Sequence, residues 1–255
     1  MSLAVVTGGS GGIGRAVATR LLQAGHHVLL TGRNEDALTK AAADLGTAVG
    51  DGSVDGRIDL AAFDVSDEAA VERTLRPLEV DVLVNNAGWA NSAPLARVPL
   101  ADWEAMLRVH ATGAFLCTRA VIGPMLERDR GRIVTVASVA GLVGAPYIAA
   151  YTAAKHAAIG LMRATAAELT GTGVTANAVC PGYVDTPMTD TSVARIAGRT
   201  GRSPDEAREA LAATSPLGRL VTVDEVAAAV AYLASPEAAA MNGQTLVLDG
   251  GGIFT

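Results

Sequence analysis

Residues 3–17 read LAVVTGGSGGIGRAV: a strand-like apolar run, a turn carrying Gly8, Gly12 and Gly14, and the start of a helical pattern. Glycines let a backbone turn sharply and approach an anion closely. The helix N-terminus that follows offers free N–H groups and a partial positive charge. A pyrophosphate suits both features, so the stretch predicts a dinucleotide-binding βα unit opening an α/β fold. Its spacing, G-x-x-x-G-x-G, differs from the general G-x-G-x-x-G fingerprint and marks a subset of such proteins.

The same rhythm continues along the chain. Strand-like runs at 27–31 (HVLLT), 58–64 (IDLAAFD), 81–86 (DVLVNN), 132–138 (RIVTVAS), 173–180 (GVTANAVC) and 244–250 (QTLVLDG) alternate with Ala- and Leu-rich helical patterns. Several are apolar almost throughout, as expected of strands covered on both faces. The expectation is one doubly wound α/β domain over residues 1–255, with a seven-stranded parallel sheet. The longest departure, Pro187 to Arg219, is polar and charged and reads as a lid or binding segment over about 187–219. Ser203-Pro204 ahead of Asp205 and Glu206 looks like a helix start within it.

The 255 residues are 50% hydrophobic and 18% charged, with a formal net charge of -6, which argues for a large core and against a generally basic nucleic-acid-binding surface. A small-molecule partner is expected, and no nucleic acid. Cys117 and Cys180 have neither metal-ligand spacing nor a disulfide framework, so no metal is expected and a reducing, cytoplasmic setting is the default. The strand-like start leaves no room for a signal peptide. Ile133 to Lys155 is uncharged until its last residue and long enough to span a bilayer. Gly141, Gly144 and Pro146 interrupt it, and Ser138, Tyr147, Tyr151 and Thr152 add polar groups. A buried strand, a loop and a buried helix are expected there instead of a membrane span.

That helix begins AAYTAAKHAA, with Tyr151 and Lys155 four residues apart and therefore on one face. Lys155 is one of two lysines against eighteen arginines. An amine is a compact charge whose pKa moves on burial, whereas Arg stays protonated. A packed Tyr beside a solvated Lys is the plain alternative, and the pair alone leaves both open. After the second strand, TGRN places Gly32 and Arg33 where a carboxylate would bind an adenosine ribose 2′-hydroxyl; a guanidinium there pairs instead with a 2′-phosphate. NADP(H) is favoured on that ground. NAD(H) stays open, because Arg33 could be an exposed helix-start charge balanced by Glu35 and Asp36.

TGGSGGIG at 7–14, NNAG at 85–88, Ser138, YTAAK at 151–155 and PGYVDTP at 181–187 follow in that order. Together, and out to LDGG at 248–251, they resemble the classical short-chain dehydrogenase/reductase family. The resemblance implies a Rossmann-type domain, usually a tetramer or dimer, that moves hydride between a nicotinamide and a carbonyl or alcohol carbon. It implies Tyr151 as the acid or base, Lys155 as the ammonium that brings the phenol's pKa toward the working range and holds the nicotinamide ribose, and Ser138 as donor to the substrate oxygen. The cofactor site it implies comprises Gly8, Ser10, Gly12, Ile13, Gly14, Arg33, Asp64, Val65, Asn86, Ala87, Gly88, Tyr151, Lys155, Pro181, Gly182, Val184 and Thr186. One position departs. Where the family carries Asn in the fourth helix, supporting a water relay from the lysine, RVHATGAF places His110. Either His110 keeps the relay, with a pH sensitivity Asn lacks, or it is a buried, satisfied histidine.

The helix of Tyr151 is small on nearly every side, from Ala149 to Gly160, and the helix around Ala111 to Val121 is similarly apolar. A symmetric helix-pair interface in a homotetramer or homodimer is expected. PGYVDTPMTD and the Arg-bearing segment after it are similar to 3-oxoacyl-thioester and polyketide ketoreductases. Arg195, Arg199, Arg202 and Arg208 could attract the phosphates of a CoA or acyl-carrier arm, or pair with Asp205, Glu206 and Glu209. A dehydrogenase of a cyclic or other secondary alcohol is the rival enzyme, and a non-catalytic nucleotide-binding regulator or scaffold the rival of another class.

Overall fold

Valine- and leucine-rich runs that would waste a solvent face instead pair side by side. In the computed structural model, which describes residues 2–49 and 57–253, they form one parallel sheet. The strands are β1 (Leu3–Thr7), β2 (His27–Gly32), β3 (Ile58–Ala62), β4 (Val80–Asn85), β5 (Gly131–Val136), β6 (Val174–Pro181) and β7 (Thr245–Leu248). Their order is β3-β2-β1-β4-β5-β6-β7, with every neighbouring pair parallel. Central β4 and β6 are buried at every position, whereas edge strand β3 is half-buried or exposed along its length. The order reverses between β1 and β4, which opens a crevice at their C-terminal ends. This is the expected Rossmann-type doubly wound fold.

Helices α1 (Gly12–Gln23), α2 (Glu35–Val49), α3 (Glu68–Leu75), α4 (Leu100–Leu107), α5 (Ala114–Glu127), α6 (Ala149–Glu168), α7 (Pro187–Thr200), α8 (Pro204–Ala212) and α9 (Val223–Ala234) complete the fold. On α1, Gly14, Val17, Ala18, Leu21 and Leu22 recur at helical spacing and are all buried, joining Val226, Val230 and Leu233 of α9 in the core on one face of the sheet. A second core, with Leu116, Cys117, Val121, Ile159 and Met162, fills the other face. The segment Ile133 to Lys155 divides into β5, a short 3-10 turn and the start of α6, as expected. The run Leu100–Glu127 is long and apolar enough to cross a membrane, but half of its most apolar window is buried within the fold, as in a core helix.

Strand ends depart from expectation. β3 stops at Ala62 and β5 at Val136, so Asp64 and Ser138 stand in the loops beyond them. Their side chains take over local backbone donors, from Ser66 N–H and Ala140 N–H, and turn the chain out of the ladder. Within 187–219 lie two helices, one more than the sequence suggested. Thr186 caps α7, and Ser203 with Glu206 forms a reciprocal capping box on α8. Between them Gly201 turns at φ 73°, and Val193, Ala207, Leu211 and Leu220 make a small core of their own.

Candidate active site

The glycine turn is shaped by what cannot fit in it. A Cβ on Gly8 would lie 2.9 Å from the Ala87 Cα, and one on Gly14 would strike the Gly8 carbonyl. Gly11 caps α1 without any side chain, and no acidic residue occupies its first turn, so the helix's N–H groups stay available to an anion. Across the crevice, Thr186 approaches Gly12 closely enough that a Cβ there would sit 3.2 Å from its Cγ2. The PGYVDTP segment thus faces the turn from the opposite wall. These features fit a dinucleotide.

Asn86 acts mainly on the backbone. Its Nδ2 donates to the carbonyls of Thr7, at 2.8 Å, and Gly8, at 3.2 Å. Thr7 Oγ1 in turn accepts from the N–H groups of Asn86 and Ala87, at 2.9 and 3.0 Å. This clip between β1 and β4 fixes the turn, and sequence reasoning did not single out Thr7. Arg33 is exposed beside Gly32 and makes no ion pair among the described residues; Glu35 and Asp36 do not hold it. Its charge is felt by Asp64. Burial raises that carboxyl, but hydrogen bonds from Ser66 and the charges of Arg33 and Arg108 together hold it below its ordinary value. Val65 packs over Gly113, and Ser10 lies beside Gly32.

Ser138, Tyr151 and Lys155 meet at the C-terminal edge of β5. The Ser138 Oγ accepts from Ala140 N–H at 3.1 Å and donates only weakly, to the Pro181 carbonyl at 3.4 Å, so its hydrogen can be turned to another acceptor. Lys155 is buried, its Nζ donating to the Val136 carbonyl at 2.8 Å and lying 5.6 Å from the Tyr151 ring centre. Burial pulls its pKa down to about 8, and pushes the Tyr151 phenol up to about 12 against a contact with Ser138 that favours ionisation. Burial dominates, and the Tyr151 phenol is neutral at ordinary pH.

His110 falls in a π-helical segment, Arg108–Gly113, between α4 and α5, a local geometry frequent at functional sites. It is buried edge-on to Tyr151, with ring centres 5.5 Å apart, and its Nε2 lies 2.8 Å from the Trp89 carbonyl. Burial, reinforced by the Lys155 charge, pushes its pKa down to about 3. The imidazole is therefore neutral at neutral pH. Gly88 has no room for a side chain because the imidazole fills it. Beneath lies a cavity of about 10 Å³, near the least that holds a water molecule, lined in part by His110, Lys155, Thr135 and Asn85. Asn85 Oδ1 is buried there without a hydrogen-bond partner among the described residues.

A parallel doubly wound sheet with a glycine turn at the crevice where strand order reverses fits a dinucleotide-binding protein. The short chain dehydrogenase family profile matches residues 2–197. The chain belongs to that family. It is 37% identical over 250 residues to a 3-oxoacyl-[acyl-carrier-protein] reductase of Synechocystis sp., covering 98% of this chain and 96% of that protein. With a D-beta-hydroxybutyrate dehydrogenase of Cupriavidus necator it shares 36% over 255 residues, 97% and 96% of the two chains. The structure of an actinorhodin polyketide ketoreductase variant with NADPH superposes with a TM-score of 0.92 at 36% identity, covering 99% of this chain and 98% of that one. The protein is an NAD(P)(H)-dependent oxidoreductase.

Proposed function

We propose that the chain is a ketoreductase whose substrate is a 3-oxoacyl thioester or polyketide ketone, and that Ser138, Tyr151 and Lys155 carry the reaction. The observation that supports this is the neutral Tyr151 phenol, flanked by a hydroxyl with a loosely held hydrogen and a buried ammonium. The bound nicotinamide would supply hydride to the ketone carbon. Ser138 donates a hydrogen bond to the ketone oxygen, and Tyr151 gives that oxygen its proton as charge develops. Lys155 stabilises the phenolate left behind. His110, neutral near pH 7, acts as a positioning residue that holds the Gly88–Trp89 backbone beside Tyr151. Exposed Tyr183 and Met188 offer an apolar wall for an acyl chain. The cradle for the dinucleotide is the glycine turn with Asp64, Val65, Ala87, Gly88, Pro181, Gly182, Val184 and Thr186, and Arg33 would take the 2′-phosphate.

Residues 1–255 act as one catalytic domain with α7 and α8 as its lid. Phe115 and Leu126 of α5 are exposed, as is the small-residue face of α6 at Ala157, Gly160 and Ala164, and a second copy covers them in a homodimer or homotetramer. Two buried thiols, Cys117 and Cys180, suit a reducing cytoplasm. The test is Tyr151→Phe assayed with NADPH and acetoacetyl thioesters beside cyclic ketones. Turnover should fall by roughly 10²–10⁴-fold with NADPH binding intact. Thioester-blind reduction of cyclic ketones would favour the secondary-alcohol reading, and a wild type that binds NADPH but reduces nothing would favour the regulator.

A further inference from the structure

Five arginines lie in the lid segment, at 195, 199, 202, 208 and 219. Arg208 pairs with Asp185 and, at 2.8 Å, with Asp190, instead of the expected Asp205, Glu206 or Glu209. Arg219 forks onto Glu225 at 2.9 and 2.7 Å. Arg199 and Arg202 are exposed at the far end of α7. Arg195 is different: half-buried, it reaches out of the lid to the loop after β4, where its Nη1 donates to Ser92 Oγ at 2.9 Å. Among the described residues it has no carboxylate partner. A guanidinium presents five N–H donors, and a single neutral hydroxyl leaves most of its charge uncompensated where water is partly excluded.

Its place gives that charge a use. Ser92 adjoins Ala93, whose N–H donates at 2.8 Å to the carbonyl of Tyr147. Tyr147 stands four residues before Tyr151 and is held at φ 70°, a left-handed conformation that is strained for a non-glycine residue. The loop after β4, the approach to α6 and the lid helix therefore converge on one rim of the crevice, and Arg195 bridges it. The carboxylate in that rim, Asp102, accepts from Asn91 Nδ2 at 3.0 Å and does not neutralise the arginine.

We propose that Arg195 determines specificity by binding an oxyanion carried by the ketone substrate, which replaces the Ser92 hydroxyl. The oxyanion is either a phosphate of a phosphopantetheine-type arm or the carboxylate of a keto acid. The inference rests on the ketoreductase reading. Its test uses the full chain with NADPH and three ligands: acetoacetyl-CoA, acetoacetate, and the N-acetylcysteamine thioester of acetoacetate, which is a ketone with neither phosphate nor carboxylate. Binding is followed by tryptophan fluorescence and turnover by NADPH absorbance. Wild type should bind one anionic ligand about tenfold or more tightly than the neutral thioester. Arg195→Gln should weaken that ligand by roughly 10- to 100-fold and change the neutral one less than about twofold. Ser92→Ala should keep the preference, and Arg195→Lys, which keeps the charge without the fork, should fall between. Loss confined to acetoacetyl-CoA identifies the phosphate, and loss confined to acetoacetate the carboxylate. No anion preference in wild type, an equal loss for all three ligands, or no loss would overturn the inference. Failure of all three ketones to oxidise NADPH would remove the ketoreductase reading instead, since the binding pattern is read separately.

Discussion

Replacing Lys155 with Met measures how much stability the site gives up to hold a charge in its core. Lys155 is 6% exposed, and the pKa of its amine falls from the ordinary 10.5 to about 8 through burial. That displacement corresponds to about 3 kcal/mol withheld from folding while the amine is protonated. Methionine fills a similar volume without the charge, but leaves the Val136 carbonyl without its 2.8 Å donor, a loss of about 1–3 kcal/mol. At pH 7 the variant should therefore be inactive and more stable by between about zero and 2 kcal/mol. The sign of the pH dependence follows from proton counting. Between pH of about 8 and 10.5 the unfolded chain keeps the Lys155 proton and the folded chain has released it, so wild-type stability rises with pH across that window. The Met variant has no such group. The difference between the two should accordingly shift by about 3 kcal/mol in favour of wild type between neutral pH and about pH 10.5. Urea unfolding at fixed protein concentration, followed by the fluorescence of Trp89 and Trp103, reads it directly. A stability difference that stays constant over this range would refute the reasoning.

If Arg33 takes the 2′-phosphate as proposed, Arg33→Asp should weaken NADPH by roughly 10- to 100-fold and leave NADH, which lacks that phosphate, unchanged or tighter. A fluorescence titration with each cofactor checks it, and equal losses for both would show that Arg33 does not discriminate. His110→Asn should leave the shape of the pH–rate profile between about pH 5 and 8 unchanged, because the imidazole's pKa lies near 3 and it does not titrate there. A limb near pH 6 in wild type that disappears in the variant would show the opposite.

Chemistry confined to one element was legible before the structure. The glycine turn needs only the absence of side chains, and Tyr151 meets Lys155 because four residues make one helical turn. Contacts between elements were not. Thr7 and Asn86 clip two loops together because β1 and β4 are neighbours at the reversal of strand order, a juxtaposition seventy-nine positions wide. Arg208 passes over the acids on its own helix and reaches Asp185 and Asp190, since α8 folds back against α7 and brings them within range. Protonation states lay further out of reach, because they depend on burial from every side. The motif names a phenol and an amine, and a neighbouring positive charge alone would lower the phenol's pKa. The same enclosure that sets them together also strips water from both, raising Tyr151 to about 12 and lowering Lys155 to about 8. At neutral pH the proton thus stays on the phenol and the charge on the amine, and enclosure acts on His110 in the same direction, leaving it uncharged. Spacing identifies the groups, and packing decides which of them carries a proton to give.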